Sequence, residues 1–435
     1  MKILYFSNPI DPAGVSVNMA SALLDYTEHE CKYAIEQTTH VVDLDHLREK
    51  GVNPIRLNEK GGVEKLRAAI EWSDIVHINA AMANWPLLLH DTIDVEEMLE
   101  GKGILFHTHG GAWLLNPDWI CERCESIGAL MVTCSPLDEI VAPGIKWVPN
   151  VLPDYIKPQN RQWDGRLVCG QACGDALYKG GGIVEYVFDW IQKTVRGFEI
   201  EYELVLGKSY LESIEIRKQH HMTIDNWTQG FHGMAALEGM AMGHATFSRF
   251  HPMAWEKWLD FCKEPIPIID IAGMDEFGKW LRVFDKDRDA LKAHGEISRK
   301  WIKEYYTERQ VIQCWVKVYE EALGEVKKRK KLPPRQKLRL MPMPALDELL
   351  RKMYLRLIPF TNSPVVGYIL DDLPPDEAMK LIADTEDDAY VICRVGPSGK
   401  PALYEILKRT ERRLHRYLKG VLDDGSSLFS LEPKC

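Results

Sequence analysis

The feature that most restricts the fold is an alternation, occurring twice, of short apolar runs with helix-patterned segments. In the first half, strands are predicted over Lys2–Ser7, Thr39–Leu44, Asp74–Asn79, Gly103–His107 and Ala129–Ser135, with helices over Val15–Tyr26 and Val63–Trp72. Alternation of this kind predicts a doubly wound parallel sheet, with helices on both faces. The proline-rich, non-periodic stretch Lys146–Asn160 reads as a linker. The pattern then restarts: strand Arg166–Gly170, loop Ala172–Gly182, helix Ile183–Thr194, strand Tyr202–Gly207, helix Leu211–Gln219, strand Met222–Asn226, strand Ile266–Ile271 and helix Met274–Phe284. Helices over Arg288–Tyr305 and Glu308–Lys327 close it. Two α/β domains are expected, at residues 1–155 and 156–326, each a doubly wound parallel sheet, with a cleft between them. In such sheets ligands bind beyond the carboxyl ends of the strands. Gly14, Asn79, His107, His109, Gly110, Gly111 and Ser135 all fall there.

A basic run from Lys327, K-K-R-K-K-L-P-P-R-Q-K-L-R, opens a third segment, 327–435. It carries an amphipathic helical pattern from Leu346 to Ile358. Strands Val365–Leu370 and Ala389–Val395 and helices Asp376–Ala383 and Ala402–Leu422 then read as a small α+β appendage. Charge divides at the same boundary. Residues 326–435 hold 21 Lys+Arg against 15 Asp+Glu, a net of +6, which leaves 33 against 49, a net of −16, for residues 1–325. The main body repels polyanions, so an anionic polymer or membrane would have to be met through the tail. No apolar run is long enough to span a bilayer and the N-terminus reads as a first strand, so a cytoplasmic chain is expected, with peripheral membrane contact as an alternative. The ten cysteines are scattered, with one C-x-x-C at Cys121 and Cys124 and no second pair at zinc-ligand spacing, and they read as reduced core thiols.

The run Trp227–Phe247 combines loop, helix, glycine stop and strand, and sets one carboxylate, Glu238, in an otherwise apolar helix. A buried carboxylate needs partners. Glu238 is therefore half of a structural ion pair or a ligand-binding group.

Taken together, these segments resemble the family-four-like glycosyltransferases of GT-B fold, which have two Rossmann-like domains facing each other across a cleft. The resemblance covers about residues 1–325. It rests on D-P-A-G-V at Asp11–Val15, D-I-V-H-I-N at Asp74–Asn79, H-T-H-G-G at His107–Gly111 and the stretch from Cys134 to Asn150. In the second domain it rests on Tyr178-Lys179-Gly180 and on G-F-H-G-M-A-A-L-E-G-M-A-M-G at Gly230–Gly243. Many relatives keep a carboxylate eight residues before the equivalent of Glu238. Here that place is Gly230, and G-F-H-G is similar to a G-W-Y-G subgroup sharing the loss. The arginine that commonly accompanies the phosphate lysine is also missing; Gln171 or Ala176 stands near its place, and Arg249 is a candidate substitute.

The resemblance implies a retaining transfer of a sugar from a nucleotide-sugar to an acceptor hydroxyl, with no assigned protein nucleophile. Charge that develops on the leaving diphosphate calls for a cation and helix N-termini. Lys179 is the implied cation. His109 is implied to contact the transferred sugar or acceptor, with Asn79, His107 and Gly110 on the acceptor side. Gly14, Gly180, Gly230, Phe231, His232 and Gly233 are implied to form the donor loops, and Glu238 to bind the ribose. No cofactor and no essential metal are expected: of the two D-x-D strings, Asp43-Leu44-Asp45 lies in a predicted strand of the wrong domain and Asp285-Lys286-Asp287 precedes a surface helix. Two alternatives stay open. One is a degenerate GT-B protein acting as a sugar- or nucleotide-binding or scaffold module; the other is a modified DNA base or lipid-linked glycan as acceptor, recruited by the tail.

Overall fold

The computed structural model describes residues 1–8, 11, 14–35, 44–80, 88–89, 93–94, 96–109, 120–121, 124–125, 127–140, 142, 144–159, 161–173, 179–326, 367–369 and 390–392. The chain divides into two units. The first holds Met1–Lys157, Lys208–Glu215 and Ile302–Leu340; the second holds Pro158–Gly207, Ile216–Trp301 and Met341–Cys435.

The first unit is built on strands β1 (Lys2–Asn8), β2 (Glu30–Ile35), β3 (Ile55–Arg56) and β4 (Ile75–Ala80), a small hairpin β5 (Leu88–Leu89) and β6 (Ile93–Asp94), then β7 (Gly103–Thr108), β8 (Leu130–Thr133) and β9 (Lys146–Trp147). Seven of them make a parallel sheet in the order β3-β2-β1-β4-β7-β8-β9. Helices α1 (Val15–Tyr26), α2 (Asp45–Glu49) and α3 (Gly62–Trp72) belong to it. Alternate residues serve opposite faces. Leu4, Phe6, Val76, Ile78, Ile104 and Phe106 pack into one core with Leu66, Ala69 and Ile70 of α3. On the opposite face the parallel register aligns Tyr5 with His77, Ser7 with Asn79, and Asn79 with His107.

The second unit carries β10 (Leu167–Ala172), β11 (Ile200–Val205), β12 (Met222–Ile224), β13 (Ala245–Ser248) and β14 (Ile269–Asp270), again all parallel, in the order β11-β10-β12-β13-β14. Its helices are α4 (Gly181–Thr194), α5 (Tyr210–Arg217), whose first residues fall in the first unit, α6 (Met234–Ala241), α7 (Pro252–Cys262), α8 (Met274–Lys286) and α9 (Arg288–Tyr305). Helix α10 (Glu308–Val326) returns to the first unit and packs on β7 and α1. Each sheet reverses its strand order once, at β1/β4 and at β10/β12, and such reversals open a crevice at the carboxyl ends.

Four expectations change. The second strand is Glu30–Ile35, where charged Glu30 and Lys32 interrupt the apolar pattern; Thr39–Val42, within the expected strand Thr39–Leu44, lie outside the described residues. Leu44 caps helix α2, and Asp45 pairs with Arg48. Lys146–Trp147, expected as linker, is the edge strand of the first sheet. Helix α7 was not anticipated; Pro252 at its start and the His251 ring, which accepts from the Met253 amide, define its N-terminus. In the tail, Gly367–Ile369 pairs in parallel with Tyr390–Ile392, inside the two expected strands. Its expected helices lie outside the described residues. No helix among the described residues is long and apolar enough to cross a membrane.

Candidate functional site

The second unit's reversal point collects the Lys-Gly loop and the start of α6. Gly180 caps α4 with φ 76°, and an added Cβ would lie 2.7 Å from the Cβ of Trp227, so only glycine suits both the backbone and the space. Gln171, at the end of β10, ties the crevice together. Its amide donates to the carbonyls of Lys179 and Asp225 (3.2 Å each) and accepts from the Tyr202 hydroxyl (2.7 Å). Gln171 is thus a neutral brace between β10, β11 and the end of β12.

The group that sequence reasoning missed is Asp225. It follows β12 directly, its carboxylate is buried, and it pairs with Lys179 Nζ while accepting the Gly233 amide at the head of α6. Burial alone would raise its pKa; the Lys179 charge and the Gly233 hydrogen bond outweigh that and hold it below the ordinary carboxylate range. A cation and a helix N-terminus thus converge on one anion, the arrangement that receives phosphate oxygens. The Lys179 side chain is 19% exposed and that of Asp225 is 0%, so the lysine is the member that reaches solvent.

Glu238 is buried and pairs with Arg217, whose second nitrogen donates to the Ala235 carbonyl at 2.6 Å. The ion-pair alternative is therefore what the geometry shows for Oε2. His232 is buried between Phe250 and Trp258 with ring centroids 5.6 and 4.5 Å away, and burial lowers its pKa to about 4. Gly230 takes φ 72° and accepts from the His251 amide at 2.7 Å, while Phe231 is half-buried. Arg249 donates to the Ala272 carbonyl.

In the first unit, two amides at the head of α1, just after the glycine loop of Gly14, are engaged by the chain itself. Asp11 accepts from Ser16 N (2.9 Å) and Val17 N (3.1 Å), and also from Asn79 Nδ2 (2.8 Å) and the Tyr33 hydroxyl (3.3 Å). Burial raises its pKa to about 6 against the pull of those donors. Asn79 is thereby an internal brace.

Next to it the β7 end carries His107 and His109 on one face, with centroids 3.9 Å apart. His107 Nδ1 meets His77 Nε2 at 3.1 Å, His77 Nδ1 meets the Tyr319 hydroxyl at 3.0 Å, and Tyr319 donates to Tyr5 at 2.9 Å. Burial first, and neighbouring histidines second, hold His77 to about 3 and His107 well below its ordinary value; burial alone takes His109 to about 3. Burial thus favours the neutral imidazole of His109 at pH 7. Gly110 lies outside the described residues. Of the D-x-D strings, Asp285 accepts from the Glu199 amide and Asp287 from the Ala290 amide, both tying loops, and Asp43 lies outside the described residues.

This architecture has solved counterparts. A glycosyltransferase from Rickettsia africae is similar over 74% of this chain and 98% of its own, with TM-score 0.52 and 12% identity. An alpha-glucosyltransferase in complex with UDP-glucose and DNA containing an abasic site is similar over 73% and 99%, with TM-score 0.53 and 11% identity. The fold is GT-B. No protein-family model matches the sequence, and no curated protein does. Within the GT-B fold the Lys179–Asp225–Gly233 cluster sits at the strand-order reversal of the second sheet.

Proposed function

We propose that this chain is a glycosyltransferase that moves a sugar from a nucleoside-diphosphate donor to an acceptor hydroxyl with retention of configuration. One observation carries the reading: Lys179 and the amide of Gly233, the residue that caps α6, are aimed at the same anion, the Asp225 carboxylate, at the reversal point of the second sheet. When the bond between the anomeric carbon and the diphosphate breaks, negative charge grows on the phosphate oxygens, and a preplaced cation and helix dipole stabilise it. Asp225 holds Lys179 in the donor-free chain, and a phosphate oxygen takes over that contact. The positive charge is supplied by the protein, so the diphosphate needs no metal. Phe231 and Gly230 complete the donor loop, and His109 with Gly110 serves the sugar or acceptor as a neutral hydrogen-bonding group.

A thermal-shift panel of nucleoside diphosphates and their sugars tests this. The matching donor at a hundred times its Kd is expected to add about 2.7 kcal/mol of stability. No shift with any of them, together with equal background nucleotide release by wild type and Lys179→Ala, overturns the enzyme reading and leaves a scaffold role.

The charge division favours a polyanionic acceptor, because the net +6 lies in residues 326–435, outside an acidic body. Removing 328–435 is expected to abolish salt-sensitive binding to duplex DNA in a filter or anisotropy assay. Retained binding removes the tail from that role, and loss of binding to anionic vesicles alone assigns it to a membrane.

A further inference from the structure

His107, His109 and Cys134 form a cluster of which the proposed transfer uses only His109. Within it, one ligand atom from each residue lies within 4.8 Å of the others. His109 and Cys134 follow neighbouring parallel strands, β7 and β8, whose register pairs Thr108 with Thr133 and so brings the next two residues side by side. The His109 Nδ1 to Cys134 Sγ distance is 3.6 Å. Two ligands on one tetrahedral zinc ion, with bonds of about 2.0 and 2.3 Å, stand roughly 3.6 Å apart.

The hydrogen-bond chain gives an independent indication. His107 is fully buried, its Nδ1 is engaged by His77, and its Nε2 has no hydrogen-bond partner among the described residues. A buried ring nitrogen without a partner is costly. If His107 Nε2 binds a metal, the protons run away from the ion in one consistent order: His107 Nδ1–H to His77 Nε2, His77 Nδ1–H to Tyr319, and Tyr319 to Tyr5. Outer partners of this kind fix a ligand's tautomer and orientation.

We propose that His107, His109 and Cys134 bind a divalent transition metal ion of the zinc class. Two imidazoles and a thiolate select zinc, cobalt or copper over magnesium and calcium, which take oxygen ligands. The Cys134 thiol releases its proton to solvent as the ion binds, so no oxidant or reductant is involved. Three protein ligands leave one tetrahedral position for water or a substrate oxygen. Ligation through His109 Nδ1 leaves its Nε2, which is buried and has no hydrogen-bond partner among the described residues, available for a hydrogen bond. The ion holds the ends of β7 and β8 together and is separate from the donor's diphosphate.

The test is cobalt(II) titration of the full chain, read by visible absorption together with metal analysis of the zinc-loaded protein. One equivalent with a thiolate-to-cobalt charge-transfer band and the intense d–d bands of a tetrahedral site is expected. Cys134→Ser is expected to lose the charge-transfer band with an unchanged circular dichroism spectrum. His77→Phe is expected to weaken cobalt binding by roughly 10–100-fold. The double variant Cys121→Ser/Cys124→Ser is expected to keep the band, which excludes the C-x-x-C pair as its source. Saturating cobalt without a charge-transfer band in the wild type overturns the proposal, whatever the variants do. A band that persists in Cys134→Ser or disappears with Cys121 and Cys124 overturns it equally.

Discussion

Glu238→Gln is expected to destabilise the second unit by about 3–5 kcal/mol, the effect of removing one partner from a buried ion pair. Both Arg217 and Glu238 are 2% exposed, and the guanidinium also serves the Ala235 carbonyl, so it cannot turn out to water when its carboxylate is lost. Arg217→Met should have a similar effect by taking the guanidinium away from a buried carboxylate. The double replacement Arg217→Met/Glu238→Leu should recover most of the loss, because a pair of apolar side chains of similar volume often does as well as a buried pair of charges. Urea midpoints of the three variants read this directly. A Glu238→Gln protein with an unchanged midpoint and a raised KM for the donor would instead place that carboxylate's main work on the nucleotide ribose.

Lys179→Ala is expected to lower kcat for donor turnover by on the order of 10²–10³-fold, the usual effect of deleting one preplaced group that stabilises developing charge. The substitution also strips a buried carboxylate of its cation, so a loss of stability has to be separated from a loss of chemistry. Lys179→Met/Asp225→Asn makes that separation. It removes both charges, should restore the folding midpoint, and should leave turnover as low as in Lys179→Ala. Turnover that returns with stability would sink Lys179 as the phosphate cation. In the wild type, the carboxyl of Asp225 is held below its ordinary value of 3.8. The pair's contribution is therefore complete above about pH 4 and is lost only as pH falls through the folded pKa. In Lys179→Ala the buried, unpaired carboxyl shifts upward, and the stability of that variant should fall with rising pH above about 4.

The architecture and the Lys-Gly and Gly-Phe-His-Gly loops were legible because they are local. An apolar run of about six residues, a glycine at positive φ and a helix with a 3.6-residue period each follow from backbone geometry over one turn or one strand. The order of such pieces then implies parallel sheets. Strand β2 escaped because Glu30 and Lys32 sit on its partly exposed face, where alternation with charge resembles a loop.

Partners were not legible at all. Lys179 is answered by Asp225, 46 residues away, Glu238 by Arg217 at 21, and His77 by Tyr319 at 242. No periodicity links such positions; strand order and register do, since they decide which residues share a face and which helix covers it. The sequence by itself determined two parallel α/β units and where glycine loops meet helix starts. Only the tertiary structure decided that the chain's own carboxylates accept amides at these helix heads, Asp11 from Ser16 and Val17 and Asp225 from Gly233, and that three histidines, two tyrosines and a cysteine meet on one face of the first sheet. Side chains far apart in sequence come within hydrogen-bonding distance only once the sheets have paired.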